Sequence, residues 1–266
     1  MIDEIRQKLS ELTGKERIIL TRRGNKALKF SLKALKETGA KKILIQDQGG
    51  WITYPQYARE LGFKLVELKT DHGLVDVEEL KKIVDCDCVL LINSMPGYFA
   101  YEEMEKIAEI AKQANAILVN DASGSIGAGN ARFGDIIFGS FGRWKPVDVG
   151  YGGFIAVDDE YFKHIFKEMQ SVFDEKFVPR LSEKLEKLDE TISEFKAKAK
   201  KIKSDLKEFG IIHPEAEGFN VVVRFRDEKE KEKILNYCSK NNFEHTICPR
   251  YIRVNENAVC IEVKRR

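Results

Sequence analysis

No run of eighteen apolar residues occurs in this 266-residue chain, so the sequence offers no candidate for a membrane-spanning helix. The N-terminus "MIDEIRQKLSELTGKE" alternates charges where a secretory signal would need an apolar stretch, and a cytoplasmic protein is expected. A charge excess is also lacking. Forty-five Lys and Arg against 43 Asp and Glu leave a formal +2, which makes no global electrostatic case for nucleic acid or membrane. Cysteine and histidine are sparse: five and four. Cys86 and Cys88 are separated by one residue, not the two of a C-x-x-C pair, and no zinc constellation assembles, so no metal is expected. His72, His164, His213 and His245 have no spacing that suggests catalysis. Internal repeats and low-complexity linkers are absent too.

What remains is a chain long enough for one large domain and one small one. From residue 17 to about 157, seven β-branched runs alternate with segments of helical period: "RIILT", "KKILIQD", "FKLVELK", "CVLLIN", "AILVND", "DIIFGS" and "GGFIAV". Helices are expected over Lys26 to Glu37, Tyr54 to Leu61, Val77 to Ile83 and Glu102 to Gln113. Short apolar runs separated by such crossovers indicate strands buried on both faces of a mainly parallel sheet, an α/β architecture. The gap between "DIIFGS" and "GGFIAV" is too short for a helical crossover, so an antiparallel or irregular connection is expected there.

From Glu160 the sequence turns helical and rich in Lys and Glu, with a break expected at Pro179. Leu181, Leu185, Leu188, Ile192, Phe195, Ala199, Ile202 and Leu206 then recur at spacings of four and three, which predicts one straight helix of roughly 40 Å ending at Gly210. It could serve as an intermolecular coiled coil or as a connector laid along its own domains. Residues 217 to 266 read as a strand ("GFNVVVRF"), a helix ("DEKEKEKILNYCSKN") and a strand pair ("RYIRVN" and "AVCIEV"). The expected units are a large α/β domain over 1–158, a helical connector over 159–210 and a small α+β domain over 211–266.

The segment "FGSFGRWKPVDVGYGG" surrounds Lys145 with five glycines, a tryptophan and a proline. A lysine enters covalent chemistry by condensing with a carbonyl, in a site that lowers its pKa and holds the rest of the partner still. "GSFG" supplies the Ser140 hydroxyl and bare backbone that a phosphate can approach, and "GYGG" lets the chain pass beneath a flat ring. Asp121 ends the apolar strand "AILVND", where an unpaired carboxylate would be costly, so it wants a cationic partner such as a protonated pyridine nitrogen. Trp51, in "DQGGW" at another strand end, could stack on a planar ring. In "TRRGNKAL" a strand passes through Gly24 into a helix whose first amides form an anion site.

These motifs resemble fold-type I pyridoxal-phosphate enzymes, and most closely the nucleotide-sugar (DegT-type) aminotransferases. The resemblance rests on "RGNKAL", "GGWITY", "DASG" and "SFGRWKPVDVGYGG" in that order and covers roughly residues 17 to 157. It implies a fold-type I large domain, pyridoxal 5'-phosphate as cofactor, and Lys145 as the lysine that binds it covalently. It further implies Asp121 on the pyridine nitrogen, Trp51 on the ring, and Ser140 with the amides of Gly24 and Asn25 on the phosphate. An amino donor, a keto or aldehyde acceptor and a homodimer with interfacial sites are implied as well. The family's Gln after the Asp is replaced by Gly124, and Asn93 is the candidate to steady the ring hydroxyl in its place. Arg23 stands where the phosphate turn usually has Ser. The chain is also about a hundred residues shorter than typical members. Arg250 and Arg253, in "CPRYIRV", sit where related enzymes bring an arginine to a substrate carboxylate, and Tyr98, in "SMPGYFAY", could line the site.

The expected activity is transamination. A lyase or desulfurase with the same cofactor is the alternative, Cys248 being the one cysteine near a small-domain loop. A third reading is a cofactor-binding or interaction protein without catalysis. A salt-dependent shift on RNA or DNA would mark binding through the lysine-rich helix.

Overall fold

The fold is a computed structural model that describes residues 1–168 and 173–265. Helix α1 (Ile2–Thr13) comes first and stops at Gly14, which takes the left-handed conformation that lets the chain turn away. There follow β1 (Arg17–Thr21), α2 (Gly24–Glu37), β2 (Lys42–Gln46), α3 (Thr53–Glu60) and β3 (Lys64–Leu68). A two-residue hairpin, β4 (Thr70–Asp71) and β5 (Leu74–Val75), leads into α4 (Val77–Ile83), β6 (Cys88–Asn93), α5 (Met104–Gln113), β7 (Ile117–Asp121), β8 (Ile136–Ser140) and β9 (Gly153–Val157). All seven runs expected as strands are strands of one sheet.

That sheet has the order β1-β9-β8-β7-β6-β2-β3. Strands β3, β2, β6, β7 and β8 pair parallel, while β9 is antiparallel to both β8 and β1, as the short β8–β9 connection requires. Alternate side chains divide between the two faces. Ile19, Ile43, Ile45, Val89 and Leu91 pack under Ala27, Leu28 and Leu35 of α2, whereas Ile18, Leu20, Ile137 and Ala156 meet Ile5 and Leu9 of α1 and Leu181 of the second half.

The second half holds α6 (Asp159–Glu168), α7 (Val178–Glu186), α8 (Leu188–Asp205), β10 (Gly210–Ile211), β11 (Val221–Arg224), α9 (Glu228–Lys240), β12 (His245–Cys248) and β13 (Ala258–Ile261). Its four strands form an antiparallel sheet ordered β10-β11-β13-β12. Helical structure expected over 169–172 lies outside the described residues.

Three expectations are corrected. The straight heptad helix is two helices, interrupted at Lys187, whose φ of −89° and ψ of 10° leave the helical region. The stripe is nonetheless buried from Leu181 to Leu206 against the chain's own core. A 3.5-residue stripe drifts around a straight 3.6-residue helix, and the interruption resets the face toward that core. Pro179 does not break a helix but sits in the first turn of α7, where its missing N–H costs nothing. "RYIRVN" is not a strand: β12, "HTIC", pairs with β13 instead, and Arg250 N donates to Val254 O (2.7 Å), closing a turn after Pro249. Helix α1 and the hairpin at 70–75 were not among the expected elements.

Candidate active site

Strands β2, β6, β7 and β8 end on one edge of the large sheet, and the loops leaving them border a cavity of about 360 Å³. Every residue expected at the site lines it: Gly24, Asn25, Trp51, Asn93, Tyr98, Asp121, Ser140, Lys145, Arg250 and Arg253. The first eight come from the large sheet's strand ends and loops. The two arginines arrive from the turn after β12.

Lys145 lies in the loop between β8 and β9, which Phe141 N to Gly152 O (3.1 Å) and Val149 N to Phe141 O (3.0 Å) close on itself. Its Nζ donates to the Tyr98 hydroxyl (2.5 Å) and lies 5.5 Å from the centre of the Trp51 ring. Burial pushes its pKa down to about 8, further lowered by Arg253 and partly offset by Asp121. Asp121 is buried at the end of β7; Ser123 N donates to its Oδ1 (2.9 Å) and the Tyr54 hydroxyl to its Oδ2. Each carboxylate oxygen keeps a lone pair for a further donor.

Ser140 ends β8, its N donating to Ser123 Oγ (3.0 Å) and its own Oγ accepting from Gly142 N (3.1 Å). A side chain on Gly24 would place Cβ 2.5 Å from Ser140 Cβ, so glycine is needed for α2 to begin against this strand end. Arg23, at the N-cap of α2, is extended and makes no side-chain cap, leaving the first-turn amides to other acceptors. The Trp51 indole N–H donates to Asn25 Oδ1 (2.9 Å), which sets the ring over the cavity. A hydroxyl and a helix N-terminus for a phosphate, a buried carboxylate for a ring nitrogen, a flat aromatic and a pKa-lowered amine are a donor set that fits pyridoxal phosphate.

Two of the candidates also hold bonds within the protein. Asn93 borders the cavity, but its Nδ2 donates to Gly49 O (2.9 Å) and its Oδ1 accepts from Met95 N (3.1 Å), so it braces the loop. The space left by Gly124 is taken by Tyr98: a Cβ there would lie 2.9 Å from the Tyr98 ring. Arg253 is buried and engaged with Glu262, Nε to Oε1 (2.8 Å) and Nη2 to Oε2 (2.9 Å). Arg250 is exposed at the rim.

Tyr54, Ser123, Arg143, Lys264 and Arg265 escaped the sequence reading. Tyr54 lies one helical turn beyond Trp51 in "GGWITY", and that spacing was a usable signal. Lys264 follows "AVCIEV"; a Glu and a Lys two residues apart directly after an apolar strand were the available clue. Away from the cavity, Asp71, His72 and His213 come together, bringing two of the four histidines into one cluster that their spacing does not predict. Among the described residues no helix is long and apolar enough to cross a membrane.

Comparison with known proteins gives two family matches: residues 1–176 match the DegT/DnrJ/EryC1/StrS aminotransferase family, and residues 186–265 the MJ1341 family C-terminal domain. Among curated proteins, a probable glycine dehydrogenase (decarboxylating) subunit 2 of Thermotoga petrophila is 31% identical over 158 residues, 56% of this chain and 31% of that protein. The corresponding Treponema denticola protein is 32% identical over 113 residues, 41% of this chain and 21% of the relative. The chain thus spans a third or less of the length of these relatives. Among solved structures, the sugar aminotransferase CalS13 of Micromonospora echinospora superposes with a TM-score of 0.77 at 13% identity, covering 98% of this chain and 86% of that one. A 3-amino-5-hydroxybenzoic acid synthase gives 0.75 at 16% identity, covering 99% and 85%. At such identities the likeness is one of fold, and the fold is the fold-type I architecture that the motifs implied. With two thirds of its length matched, the chain belongs to the DegT/DnrJ/EryC1/StrS aminotransferase family.

Proposed function

We propose that the protein is a pyridoxal-phosphate-dependent aminotransferase with Lys145 as the covalent anchor of the cofactor. The observation that carries this reading is the meeting, in one cavity, of the pKa-lowered Lys145 amine with Asp121, Trp51, Ser140 and the N-terminus of α2. In this reading residues 1–158 carry the cofactor, 159–210 connect, and 211–266 close the site.

Ser140 Oγ and the amides of Gly24 and Asn25 hold the phosphate. Trp51 covers the ring face and Asp121 keeps a proton on the ring nitrogen. Bound there, pyridoxal phosphate supplies an aldehyde that condenses with amines and a ring that takes up an electron pair from the substrate's α-carbon. Lys145 Nζ would be the base that moves the α-proton of the substrate, and a pKa near 8 leaves about a tenth of it neutral at pH 7 and half at pH 8. The Tyr98 hydroxyl fixes where Nζ points, and we assign it, rather than Asn93, the place of the family's missing Gln. The partners are an amino donor and a keto or aldehyde acceptor, and the assembly a homodimer of cytoplasmic location, the dimer testable by light scattering.

The test is covalent labelling. Pyridoxal phosphate added to the purified protein should give a visible band that borohydride bleaches, with a pyridoxyl mass on the Lys145 peptide. Lys145→Ala should lose band, label and turnover; retention of all three would overturn the assignment. The similarity to decarboxylating glycine dehydrogenase subunits supports a second reading, in which the same residues serve cleavage of another bond at the α-carbon. Carbon dioxide release would favour it, whereas pyruvate and ammonia without any keto acceptor would mark a lyase that also breaks a bond at the β-carbon.

A further inference from the structure

The wall that the small domain presents to the cavity carries more positive charge than its one carboxylate can answer. Glu262 is fully buried beside β13 and is shared by three cations: Arg253 (2.7 Å), Lys264 (3.2 Å) and Arg265 (3.6 Å). Thr246 Oγ1 (2.8 Å) and Asn220 Nδ2 (3.2 Å) also donate to it. Burial alone would raise its pKa, but Arg253, Lys264 and Arg265 hold it down to about 2, so it is ionised and fully committed. Lys264 is also buried, its ammonium 4.5 Å from the Tyr98 ring centre. Arg265 Nε is buried and finds no hydrogen-bond partner among the described residues. Arg250 adds a further cation at the rim, and among the described residues Asp121, at the end of β7, is the single acidic one lining the cavity.

Buried positive charge in excess of its counter-ions is costly, and an unpaired buried donor costs more. Arg253 is largely committed already. Its Nε/Nη2 edge is taken by Glu262 and one Nη1 N–H by Ile252 O (2.7 Å), so a side-on bidentate grip on a substrate carboxylate is closed to it, and one N–H on each terminal nitrogen is left. Lys264 only shares Glu262, Arg265 keeps only long contacts to Glu262 (3.6 Å), Glu244 (3.4 Å) and Thr246 Oγ1 (3.5 Å), and Arg250 lies exposed at the rim, so these three cations have room for a further anion.

We propose that Lys264, Arg265 and Arg250 form an oxyanion subsite for a second anionic group of the amino substrate, a phosphate or side-chain carboxylate, with Arg253 as its scaffold. This rests on the pyridoxal-phosphate reading and gives it a substrate class: amino compounds bearing an acidic group besides any α-carboxylate. The subsite belongs to the residues that follow β13 and β12, and so is separate from the phosphate cradle of α2 and β8.

The holoprotein tests it through the cofactor's absorbance on titration with two pairs that differ in side-chain charge, phosphoserine against serine and aspartate against asparagine. The acidic member should bind at least about tenfold more tightly, the worth of one charge-assisted hydrogen bond. The larger of the two preferences tells phosphate from carboxylate. Lys264→Met should keep the cofactor band and abolish the preference. Equal affinities within both pairs on the wild-type holoprotein would overturn the inference whether or not the variant folds, and so would a preference intact in Lys264→Met. Absence of any cofactor band would instead sink the underlying reading, and the inference with it.

Discussion

Lys145 carries the proposed chemistry because its surroundings make an ordinary lysine unusual. Its side chain is half-buried against Tyr98 and Trp51 and feels the charge of Arg253, so neutral amine is present at a pH where an exposed lysine would be almost wholly charged. Capture of an aldehyde requires that neutral form. The rate at which the apoprotein forms the cofactor's visible band should therefore rise with pH to half its limit near 8, and stopped-flow mixing across pH 6 to 11 checks it; a midpoint above 10 would contradict the burial argument. Tyr98 is the companion. It sits at a positive φ of 67°, uncommon for an aromatic residue, where its hydroxyl meets Lys145 Nζ and its carbonyl accepts from Phe219 N and Asn220 N (2.8 Å each). Tyr98→Phe keeps the ring packed on Gly124 and removes only the hydroxyl. We expect a loss of about tenfold in kcat/KM, near the worth of one hydrogen bond, with the cofactor still bound. An unchanged rate would return Tyr98 to a packing role.

Among the elements, α7 and α8 show how one apolar stripe can serve without a partner chain. Leu181, Leu185, Leu188, Ile192, Phe195, Ala199, Ile202 and Leu206 are all buried, and Phe195 meets Phe219 edge to face at 5.3 Å. The stripe therefore covers the face of the large domain that β11 also reaches. Phe195→Ala should cost about 3–5 kcal/mol in urea unfolding, because the surrounding residues come from three separate segments and collapse poorly onto the space. A cost under about 1 kcal/mol would mean that the helix is peripheral. The turn after β12 is a second case. Pro249 cannot donate to a ladder, so the strand ends, and the reversal turns Arg250 toward the cavity and Arg253 into the interior.

Across the whole molecule, buried charge couples the fold to pH. Glu102 lies between β2 and the hairpin at 70–75, accepting from Gln46 Nε2 (2.7 Å) and Val75 N (3.1 Å). Burial raises its pKa from the usual 4.5 to about 8. Between those values the native state holds a proton that the unfolded chain has lost, so this group's contribution to stability falls as pH rises from 4.5 to 8. Glu102→Gln should remove that slope: the variant should match the wild type in Tm near pH 4.5 and exceed it at pH 8. A wild-type Tm that falls no faster over this range than the variant's would show that Glu102 is ionised in the fold.

The seven strands of the large sheet and the residues around Lys145 were legible because each rests on local chemistry: a strand buried on both faces is an apolar run whatever lies beside it, and glycines mark backbone that must come close to something. The small domain's contribution was legible only in part: Arg250 and Arg253 were expected at the site, but not the turn that brings them there. "RYIRVN" has the composition of a strand, and only the pairing of "HTIC" with β13 turns it into the reversal that delivers Arg250 and Arg253. Nor does any local pattern say that Glu262 would be fully buried among Arg253, Lys264 and Arg265, because the desolvation that sets their charges and the choice of partner for each are properties of segments distant in sequence. Motifs thus located Lys145 and its neighbours, while the balance of charge on the facing wall of the cavity depended on how the two sheets pack.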